Sequence, residues 1–590
     1  MEIYHHNLDS LERESNRLLI SDRRISAARL FTLLATGFMM YQGYQTGTVI
    51  FYIIGIIALI AFFLLIKKHQ SIRWLSKLIK SKIEVNKNEL DFMAGKDAPF
   101  ESGEEFIQHD HSYAYDLDFF GKKSIFQMLN RTGTVRGKQI LADSLLNIQH
   151  KDMILQTQEA VKELTPLIDW RQQFLAIGSI DRETTENFHN LMKWSSRPPV
   201  KEHTIIKVLS FVIPATTLIF LLFYLIQPLR VFGNIAFLLF LINLGILGIS
   251  FRAIREELIP STKIEAILRH YSLLLELIEN QSFSSSKLKA LQKSIMPKQI
   301  KASVAIHHLS LLFGRMEHVA NVFASPLLNG FLQYHIHVLR GFSQWRRLYG
   351  SLIHHWLDTV GEFEKLNSLA GFSFNHPEFI FPAINMEYRI KLKNVGHPLL
   401  KEERAITNSV DFSKNRFFIL TGSNMSGKST FLRTLGVNMV LAGIGAPVFS
   451  KKADIHPLKV LVSMRLSDSL SDSESYFYAE VKRLKNIMDQ LNQQPCFVLL
   501  DEILRGTNSD DKRNGTMEVV RKMVKKKAFG GIATHDLEVC KITNEYPEIL
   551  ANKRFEVEIV NDELVFDYQL RDGVCENKSA SFIMKKMGVI

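Results

Sequence analysis

Four stretches of uncharged, apolar residues limit how this chain can fold more than any other feature of its sequence. They form two pairs, and a short connection separates the two members of each pair. The runs cover Leu30–Tyr44, Val49–Ile66, Val208–Ile226 and Ile235–Phe251. At 1.5 Å per helical residue, runs of roughly 15 to 19 residues nearly cross a hydrocarbon core about 30 Å thick. The sequence therefore predicts two membrane-spanning helical hairpins.

Buried core helices are the alternative interpretation of these runs. Leu30–Tyr44 is the weakest candidate for a membrane span, because it is short and contains Gln42.

The charges that flank the runs predict the orientation of the hairpins. Basic residues stand at the outer ends of both hairpins, whereas the connecting loops carry only Arg230. The flanking residues are Arg23, Arg24, Arg29, Lys67, Lys68 and Arg73 for the first hairpin, and Arg197, Lys201, Lys207, Arg252 and Arg255 for the second. Since Lys and Arg stay on the cytoplasmic side, we expect a multi-pass protein of the cell (inner) membrane with its large domains in the cytoplasm.

Length, charge and cysteine content limit the number of domains, the kinds of partner and the kinds of cross-link that we expect. A chain of 590 residues is too long for one hydrophobic core, which predicts several domains. The formal net charge of +12 suits nucleic acid and anionic lipid equally well. The three cysteines have no metal-ligand spacing, so we expect neither a disulfide framework nor a zinc site.

The segments between and after the hairpins have the apolar spacing of helices. One helical stretch combines aromatic and basic side chains: His335, His337, Arg340, Phe342, Trp345, Arg346, Arg347 and Tyr349. Such a combination can form a nucleic-acid face. We favour the alternative, a solvated helix with a packed aromatic stripe.

A phosphate-binding loop is predicted near the C-terminal end. The apolar stretch Phe417–Leu420 is a short strand, and it leads into a G-x-x-x-x-G-K-S motif followed by a helical sequence. The glycines allow backbone N–H groups to surround a phosphate at a helix N-terminus. In this motif Lys428 neutralises the β- and γ-phosphates, and the Ser429 hydroxyl binds Mg²⁺. The predicted nucleotide-binding residues are Gly422, Ser423, Asn424, Met425, Ser426, Gly427, Lys428, Ser429 and Thr430.

Two further strands are predicted to carry the remaining catalytic groups. The apolar strand Cys496–Leu500 ends in Asp501 and Glu502. An aspartate in this position reaches Mg²⁺, and the adjacent carboxylate can polarise the attacking water. A third strand at residues 531–534 ends at His535, which would sense the γ-phosphate.

These motifs resemble the MutS family of mismatch-repair ATPases. Residues 421–433 resemble its T-G-P-N-M-x-G-K-S-T-x-L-R segment, and residues 501–509 resemble D-E-I-G-R-G-T-S. Residues 475–480 resemble its S-T-F-x-x-E signature, residues 533–535 its A-T-H, and residues 396–400 its R-H-P stretch. The closing Y-x-L-x-x-G pattern is matched from Tyr568 to Gly573. More weakly, residues 126–137 resemble the family's L-x-x-x-T-x-T-x-x-G element.

The resemblance implies an ABC-type ATPase that dimerises around ATP and Mg²⁺. In that arrangement a signature serine of the partner caps the γ-phosphate, which assigns the role to Ser475, with Ser473 as the fallback. Two departures from the family concern DNA. We expect the N-terminal mismatch-reading and connector domains to be absent, and the second hairpin interrupts the helical domain.

Together these features predict a multidomain protein with α-helical membrane hairpins, an α-helical lever or core domain and a C-terminal α/β P-loop ATPase domain. The expected parts are residues 1–88 with the first hairpin, 89–203 as the first part of the helical core, 204–252 as the second hairpin, 253–385 as the second part of the core, and 386–590 as the ATPase domain. The predicted function is ATP hydrolysis that drives closure of a homodimer on double-stranded DNA. The alternatives are a membrane-tethered mechanical ATPase acting on a protein or lipid, and an ABC transporter.

Overall fold

The computed structural model describes most of the chain. The described residues are 1–96, 99–199, 204–257, 263–296, 300–317, 319, 321, 323–400, 403, 405–465, 476–560 and 563–575. The helices of the N-terminal two thirds are α1 (Glu2–Thr46), α2 (Val49–Met93), α3 (Ile125–Leu129), α4 (Val135–Leu146), α5 (Lys151–Leu164), α6 (Ile168–Ser179), α7 (Thr185–Ser195), α8 (Thr204–Ile226), α9 (Arg230–Glu257), α10 (Ile264–Asn280), α11 (Ser286–Ser294), α12 (Ala302–Glu317), α13 (Ala324–Leu332), α14 (Tyr334–Tyr349) and α15 (Ile353–Asn375).

The two predicted hairpins are present as pairs of helices. In the first pair a tight turn at Gly47 and Thr48 reverses the chain, and Gly47 adopts the left-handed conformation that ends a helix, with φ 65°. Both helices extend far beyond the apolar runs, and α2 continues past residue 88 to Met93. Their polar ends are fixed to the helical core, because the Tyr4 hydroxyl of α1 donates to Asn375 Oδ1 at 2.7 Å and Asn86 Nδ2 of α2 donates to Gln172 Oε1 at 3.2 Å. The apolar runs therefore extend away from that core.

Three described helices are long and apolar enough to cross a membrane. They are α2, the part Lys207–Ile226 of α8, and α9. The fourth predicted run, Leu30–Tyr44, lies in α1, which does not reach the same hydropathy because Gln42, two threonines and two glycines dilute its apolar residues. Insertion of the hairpins in a membrane remains a prediction.

Several of the aromatic and basic residues of α14 form a packed stripe, as favoured from the sequence, whereas Arg347 is exposed. Phe342 and Trp345 are buried in the main core, and Arg346 is buried against Glu257. The Trp345 ring nitrogen donates to the Ala305 carbonyl at 2.7 Å. Because these side chains are used in packing, they do not form a nucleic-acid face.

The C-terminal third is an α/β structure with two sheets. Its helices are α16 (Lys428–Gly443), α17 (Tyr476–Leu491) and α18 (Ser509–Lys525), and its strands are β1 (Ala383–Ile384), β2 (Ile390–Val395), β3 (Asn408–Asp411), β4 (Phe417–Thr421), β5 (Lys452–Ile455), β6 (Lys459–Ser463), β7 (Cys496–Asp501), β8 (Phe529–Ala533), β9 (Leu550–Val560) and β10 (Glu563–Asp572). The larger sheet has the order β10-β9-β4-β8-β7-β6, and the smaller has the order β1-β5-β2-β3. In the larger sheet every pairing is parallel except that of β10 with β9. The three predicted strands β4, β7 and β8 are therefore confirmed as neighbours in one buried parallel sheet.

Two buried carboxylates hold the turn that precedes α4. Glu364, on α15, accepts hydrogen bonds from the amides of Gly133 and Thr134 at 2.7 and 3.1 Å, and from the Thr134 hydroxyl. Glu183 accepts from Tyr271 Oη at 2.9 Å and from the amide of Val135 at 3.1 Å. Burial raises the pKa of each carboxyl to about 7 despite these hydrogen bonds. The folded protein therefore retains protons here that an unfolded chain releases.

This proton uptake predicts how stability depends on pH. A carboxyl whose folded pKa lies above its unfolded value stabilises the fold at low pH, and this contribution is lost as the pH rises through about 7. Glu364→Gln should therefore flatten the decline in stability between pH 5 and pH 8, by at most about 1.4 kcal/mol per pH unit for one proton. Thermal unfolding of the detergent-solubilised full chain would measure it. Glu276→Gln, at an exposed carboxyl of α10, is the control and should leave the slope unchanged; an unchanged slope in Glu364→Gln would contradict the prediction.

Candidate functional site

The glycine-rich loop connects the centre of the larger sheet to a buried helix. All residues of β4 are buried, and α16 begins at Lys428 directly after the loop. Gly427 has φ 97°, and a Cβ placed there would lie 2.9 Å from the Tyr568 ring. Glycine is therefore required at this position by both backbone conformation and space. The first amides of α16 are directed into the loop, where they can bind an anion.

Lys428 is folded back onto its own loop. Its Nζ donates to the carbonyls of Gly422 and Ser423, both at 2.9 Å, and lies 3.4 Å from His535 Nε2. Burial lowers the pKa of Lys428, while Glu502 and Asp501 act in the opposite direction. In contrast, Met425 is 78% exposed at φ 68°, so the middle of the loop projects outward.

Ser429 and Asp501 are in direct contact. The Ser429 hydroxyl donates to Asp501 Oδ2 at 2.5 Å. Asp501 Oδ1 is buried and has no hydrogen-bond partner among the residues that the structure describes. Burial raises the pKa of Asp501, and the Glu502 charge acts in the same direction. A hydroxyl and a carboxylate with a free oxygen are the hard ligands that Mg²⁺ prefers, so these residues fit that ion.

Glu502 and His535 are in direct contact where β7 and β8 end. His535 Nε2 lies 2.8 Å from Glu502 Oε1, and Arg505 Nη2 lies 3.3 Å from Oε2. The hydrogen bond from His535 is the main reason that the pKa of Glu502 falls to about 2. Glu502 also has φ 48°, a strained conformation for a residue with a side chain. The carboxylate is thus ionised and held in one orientation.

The catalytic and metal residues expected from the sequence are close together in this structure. His535 lies within 3.4 Å of Lys428 and 2.8 Å of Glu502, and Ser429 contacts Asp501; the two sets are joined because Lys428 precedes Ser429 and Asp501 precedes Glu502 in the chain. A cavity of about 400 Å³ lies beside them. It is lined in part by Asn424, Met425, Ser426, Gly427, Lys428, Ser429, Thr430, Glu502 and Tyr568. Ser473 and Ser475 lie outside the described residues.

Glu480 was not assigned a role from the sequence, although it occupies the last position of the signature-like segment. It lies on α17, where its two oxygens accept hydrogen bonds from the amides of Leu504 and Arg505 at 2.7 and 3.0 Å. Leu504 has φ 61°, and Arg505 is the residue that contacts Glu502. Glu480 therefore holds the strained turn that follows the catalytic carboxylates. In the sequence, only the position of Glu480 at the end of residues 475–480 could have indicated this structural role.

A second missed contact joins the site to the helical part of the chain. Asp116 is fully buried, and its Oδ1 accepts hydrogen bonds from the amides of Met464 and Arg465 at 2.8 and 2.7 Å. Its other oxygen pairs with Arg483 on α17. Asp118 lies 2.5 Å from Arg465 and 3.4 Å from Arg433 on α16. Two acidic residues thus hold Met464, Arg465 and Arg483, which are described residues before and after the signature-like segment, against the chain that leads to α3.

Comparison with known proteins agrees with this geometry. Residues 418–589 match the family described as MutS domain V. MutS protein homolog 4 of Homo sapiens is 29% identical over 235 residues, which are 38% of this chain and 24% of that protein. DNA mismatch repair protein MutS of Petrotoga mobilis is 27% identical over 321 residues, which are 53% of this chain and 34% of that protein. The matched regions thus cover between about a quarter and a third of these relatives.

The role of Glu480 can be tested by hydrogen exchange. Glu480→Ala should leave the amides of Leu504 and Arg505 without their acceptor, so these two amides should exchange faster than in the wild type. Mass spectrometry of peptides that cover residues 500–508 would detect it. Asp489→Ala, at an exposed position of the same helix, should not change the exchange of these peptides. Equal protection in Glu480→Ala and wild type would show that the turn does not depend on this carboxylate.

Proposed function

Because the chain belongs to the MutS family through its domain V, we propose that it is an ATP hydrolase that uses ATP to close a homodimer. The observation that carries the proposal is the convergence of Lys428, Ser429, Asp501, Glu502 and His535 beside a cavity of about 400 Å³. This volume suits a ligand of nucleotide size. Family membership and site geometry thus support the same chemistry.

The loop and the first turn of α16 would bind the phosphates of ATP. Backbone amides and the Lys428 ammonium supply positive charge where the β- and γ-phosphates would lie. Ser429 and the free oxygen of Asp501 would hold Mg²⁺, which offsets the phosphate charge when it is bound. Mg²⁺ binding at Asp501 would also favour its ionised form against the effect of burial.

Hydrolysis requires a change at Glu502. A carboxylate whose pKa is about 2 accepts a proton poorly, and the hydrogen bond from His535 is the main cause of this low value. If His535 turns to the γ-phosphate, it leaves Glu502 free to orient and deprotonate the attacking water. The contact of 2.8 Å between them would then be the resting state of the site, and it would limit reaction when the γ-phosphate is not in place.

Dimer closure follows from the proposed role of Ser475. A partner chain would contribute Ser475, or Ser473 in its place, to the γ-phosphate, so that ATP lies between two chains. The described residues on either side of this segment are held by Asp116, through Arg465 and Arg483. This contact would transmit closure to the helical part of the protein.

Three variants test this mechanism. Glu502→Gln should bind ATP and Mg²⁺ and accumulate an ATP-dependent dimer, because it lacks the base but retains Asp501 and Ser429. Lys428→Ala should lose ATP affinity and remain monomeric. Glu538→Gln, at an exposed carboxyl just after His535, is the matched control and should hydrolyse ATP normally. Phosphate release and light scattering in detergent measure both properties. An ATP-bound Glu502→Gln with the mass of the apo protein would exclude the closure mechanism.

We further propose that both hairpins anchor the protein in the cell membrane, with the polar domains in the cytoplasm. The three long apolar helices support this, as do the basic residues at the outer ends of each hairpin. The ATP site would then lie on the side of the membrane where ATP is available.

Double-stranded DNA is the proposed substrate, supported by the names of the relatives and the net charge of +12. One observation favours a second candidate, a mechanical ATPase that acts on a protein or lipid. Phe342, Trp345 and Arg346 of α14 are packed inside the helical core, so these three residues are not available for a nucleic-acid face.

DNA binding by the detergent-solubilised protein separates these two candidates. Binding through the phosphate backbone should weaken steeply as salt increases, because each neutralised phosphate releases counterions. We expect matched and G·T-mismatched duplexes to bind alike. A tenfold preference for the mismatch, which corresponds to about 1.4 kcal/mol, would instead indicate a mismatch sensor, and no salt-dependent binding to either duplex would favour the second candidate.

A further inference from the structure

We infer that α13 and the first two turns of α14 form a re-entrant element. This element enters the bilayer beside α8 and α9, and the corner between its two helices lies near the middle of the bilayer. Lipid acyl chains would cover the outer surface of the element. The inference rests on the proposal that α8 and α9 span a membrane. From the sequence alone, this segment is expected to belong to the helical core at residues 253–385.

Hydrogen bonds give the depth of the corner between α13 and α14. Thr217 is the middle residue of the apolar run Val208–Ile226, and Asn243 is the middle residue of Ile235–Phe251. Asn243 Nδ2 donates to Thr217 Oγ1 at 3.2 Å and to the Gly330 carbonyl at 2.8 Å. Gln333, the residue between α13 and α14, donates from Nε2 to Asn243 Oδ1 at 2.6 Å. The corner is therefore level with the centres of both apolar runs.

Contacts at the cytoplasmic ends of α9 and α14 give a second indication of the depth of the corner. Glu257, the last residue of α9, pairs with Arg346 on α14 and accepts a hydrogen bond from Trp194 Nε1 at 2.7 Å. The stretch of α14 from Gln333 to Arg346 is almost as long as the stretch of α9 from Asn243 to Glu257, and each spans about 20 Å. The two helices thus run side by side from the membrane surface to its middle.

A polar contact of Arg340, which lies on α14 between the corner at Gln333 and Arg346, agrees with this depth. Arg340 Nη2 donates to the Ser210 hydroxyl at 3.0 Å, close to the basic end of α8. Its guanidinium also lies 5.1 Å from the centre of the Phe211 ring. A long cationic side chain near the membrane surface can reach polar headgroups in this way.

A helix can end within hydrocarbon only if its free backbone groups are satisfied by protein. At the start of α13, Asn321 Oδ1 accepts hydrogen bonds from the amides of Phe323 and Ala324 at 3.1 and 2.9 Å. At its end, the Gly330 carbonyl accepts from Asn243, and the Asn329 carbonyl accepts from the Gln333 amide at 2.9 Å. Protein groups therefore satisfy two backbone amides at the start of this short helix and two carbonyls at its end.

The outer surface of α13 matches lipid. No Asp, Glu, Lys or Arg occurs from position 318 to position 339. Phe323 is 85% exposed and Leu327 is 57% exposed, and this apolar surface continues that of α9 through the contact of the Phe331 and Phe240 rings at 5.0 Å. Because α13 packs against both α8 and α9, acyl chains that surround the hairpin would cover α13 as well.

Spin labels can measure the depth of this element in the full-length protein reconstituted in phosphatidylcholine vesicles. A label at Leu327→Cys should collide readily with oxygen and rarely with a water-soluble nickel chelate. Phe237→Cys, at an exposed position of α9, reports the hairpin, and Met153→Cys, at an exposed position of α5, reports water. The native cysteines Cys496, Cys540 and Cys575 are buried, and unsubstituted protein gives their background.

The outcomes distinguish the inference from the proposal on which it rests. An oxygen-to-nickel ratio at Leu327 that matches Phe237 supports a re-entrant element. A ratio at Leu327 that matches Met153, while Phe237 lies in lipid, overturns the inference and leaves the membrane hairpin intact. If both positions match Met153, the membrane proposal itself fails. Protection of Leu327 from both reagents means that protein covers this face, which also overturns the inference.

A pair of substitutions tests the contact that holds α13 in place. A Cβ at Gly330 would lie 2.1 Å from the Phe240 ring, so Gly330→Ala should displace α13 and lower the oxygen-to-nickel ratio at Leu327. Phe240→Ala in the same protein should restore the ratio. A ratio that is unchanged in Gly330→Ala would show that the packing of α13 on α9 does not determine its depth.

Discussion

The parallel pairing of β4, β8 and β7 is the constraint on which the site depends. Ala533 of β8 pairs with Leu420 on one side and with Asp501 on the other, so the three strands end at one level. A shift of one residue in either pairing would turn the side chains of a strand to the opposite face and separate Ser429 from Asp501. All residues of the three strands are buried, and this burial maintains the register.

This constraint also explains why much of the site could be predicted from the sequence. Each strand is a short apolar run that ends in a functional residue, and parallel strands of one sheet present those ends at a common edge. The neighbourhood of Lys428, Asp501 and His535 follows from that rule without any knowledge of distances. The glycine-rich loop could be predicted equally well, because Gly427 adopts a backbone conformation that few other residues tolerate.

The contacts that could not be predicted join residues that are distant along the chain and ordinary by type. Asp116 binds the amide of Met464 348 positions away, and no local pattern marks such a pair. The position that we propose for α13 in the bilayer was not predicted for a different reason. This helix has nine residues, too few for the length rule that identifies a membrane span.

The position of Lys428 changes what ligand binding means at this loop. Its ammonium already has two carbonyl acceptors within its own loop, so the positive charge there is neutralised in part by the protein itself. An entering anion must take the ammonium away from these carbonyls, and association is therefore an exchange of partners rather than a simple addition. The free energy of that exchange depends on the difference between two sets of contacts. It would favour ligands whose negative charge binds the ammonium more strongly than the two carbonyls do. A weakly charged molecule of the same shape would leave Lys428 bound to the carbonyls of its own loop.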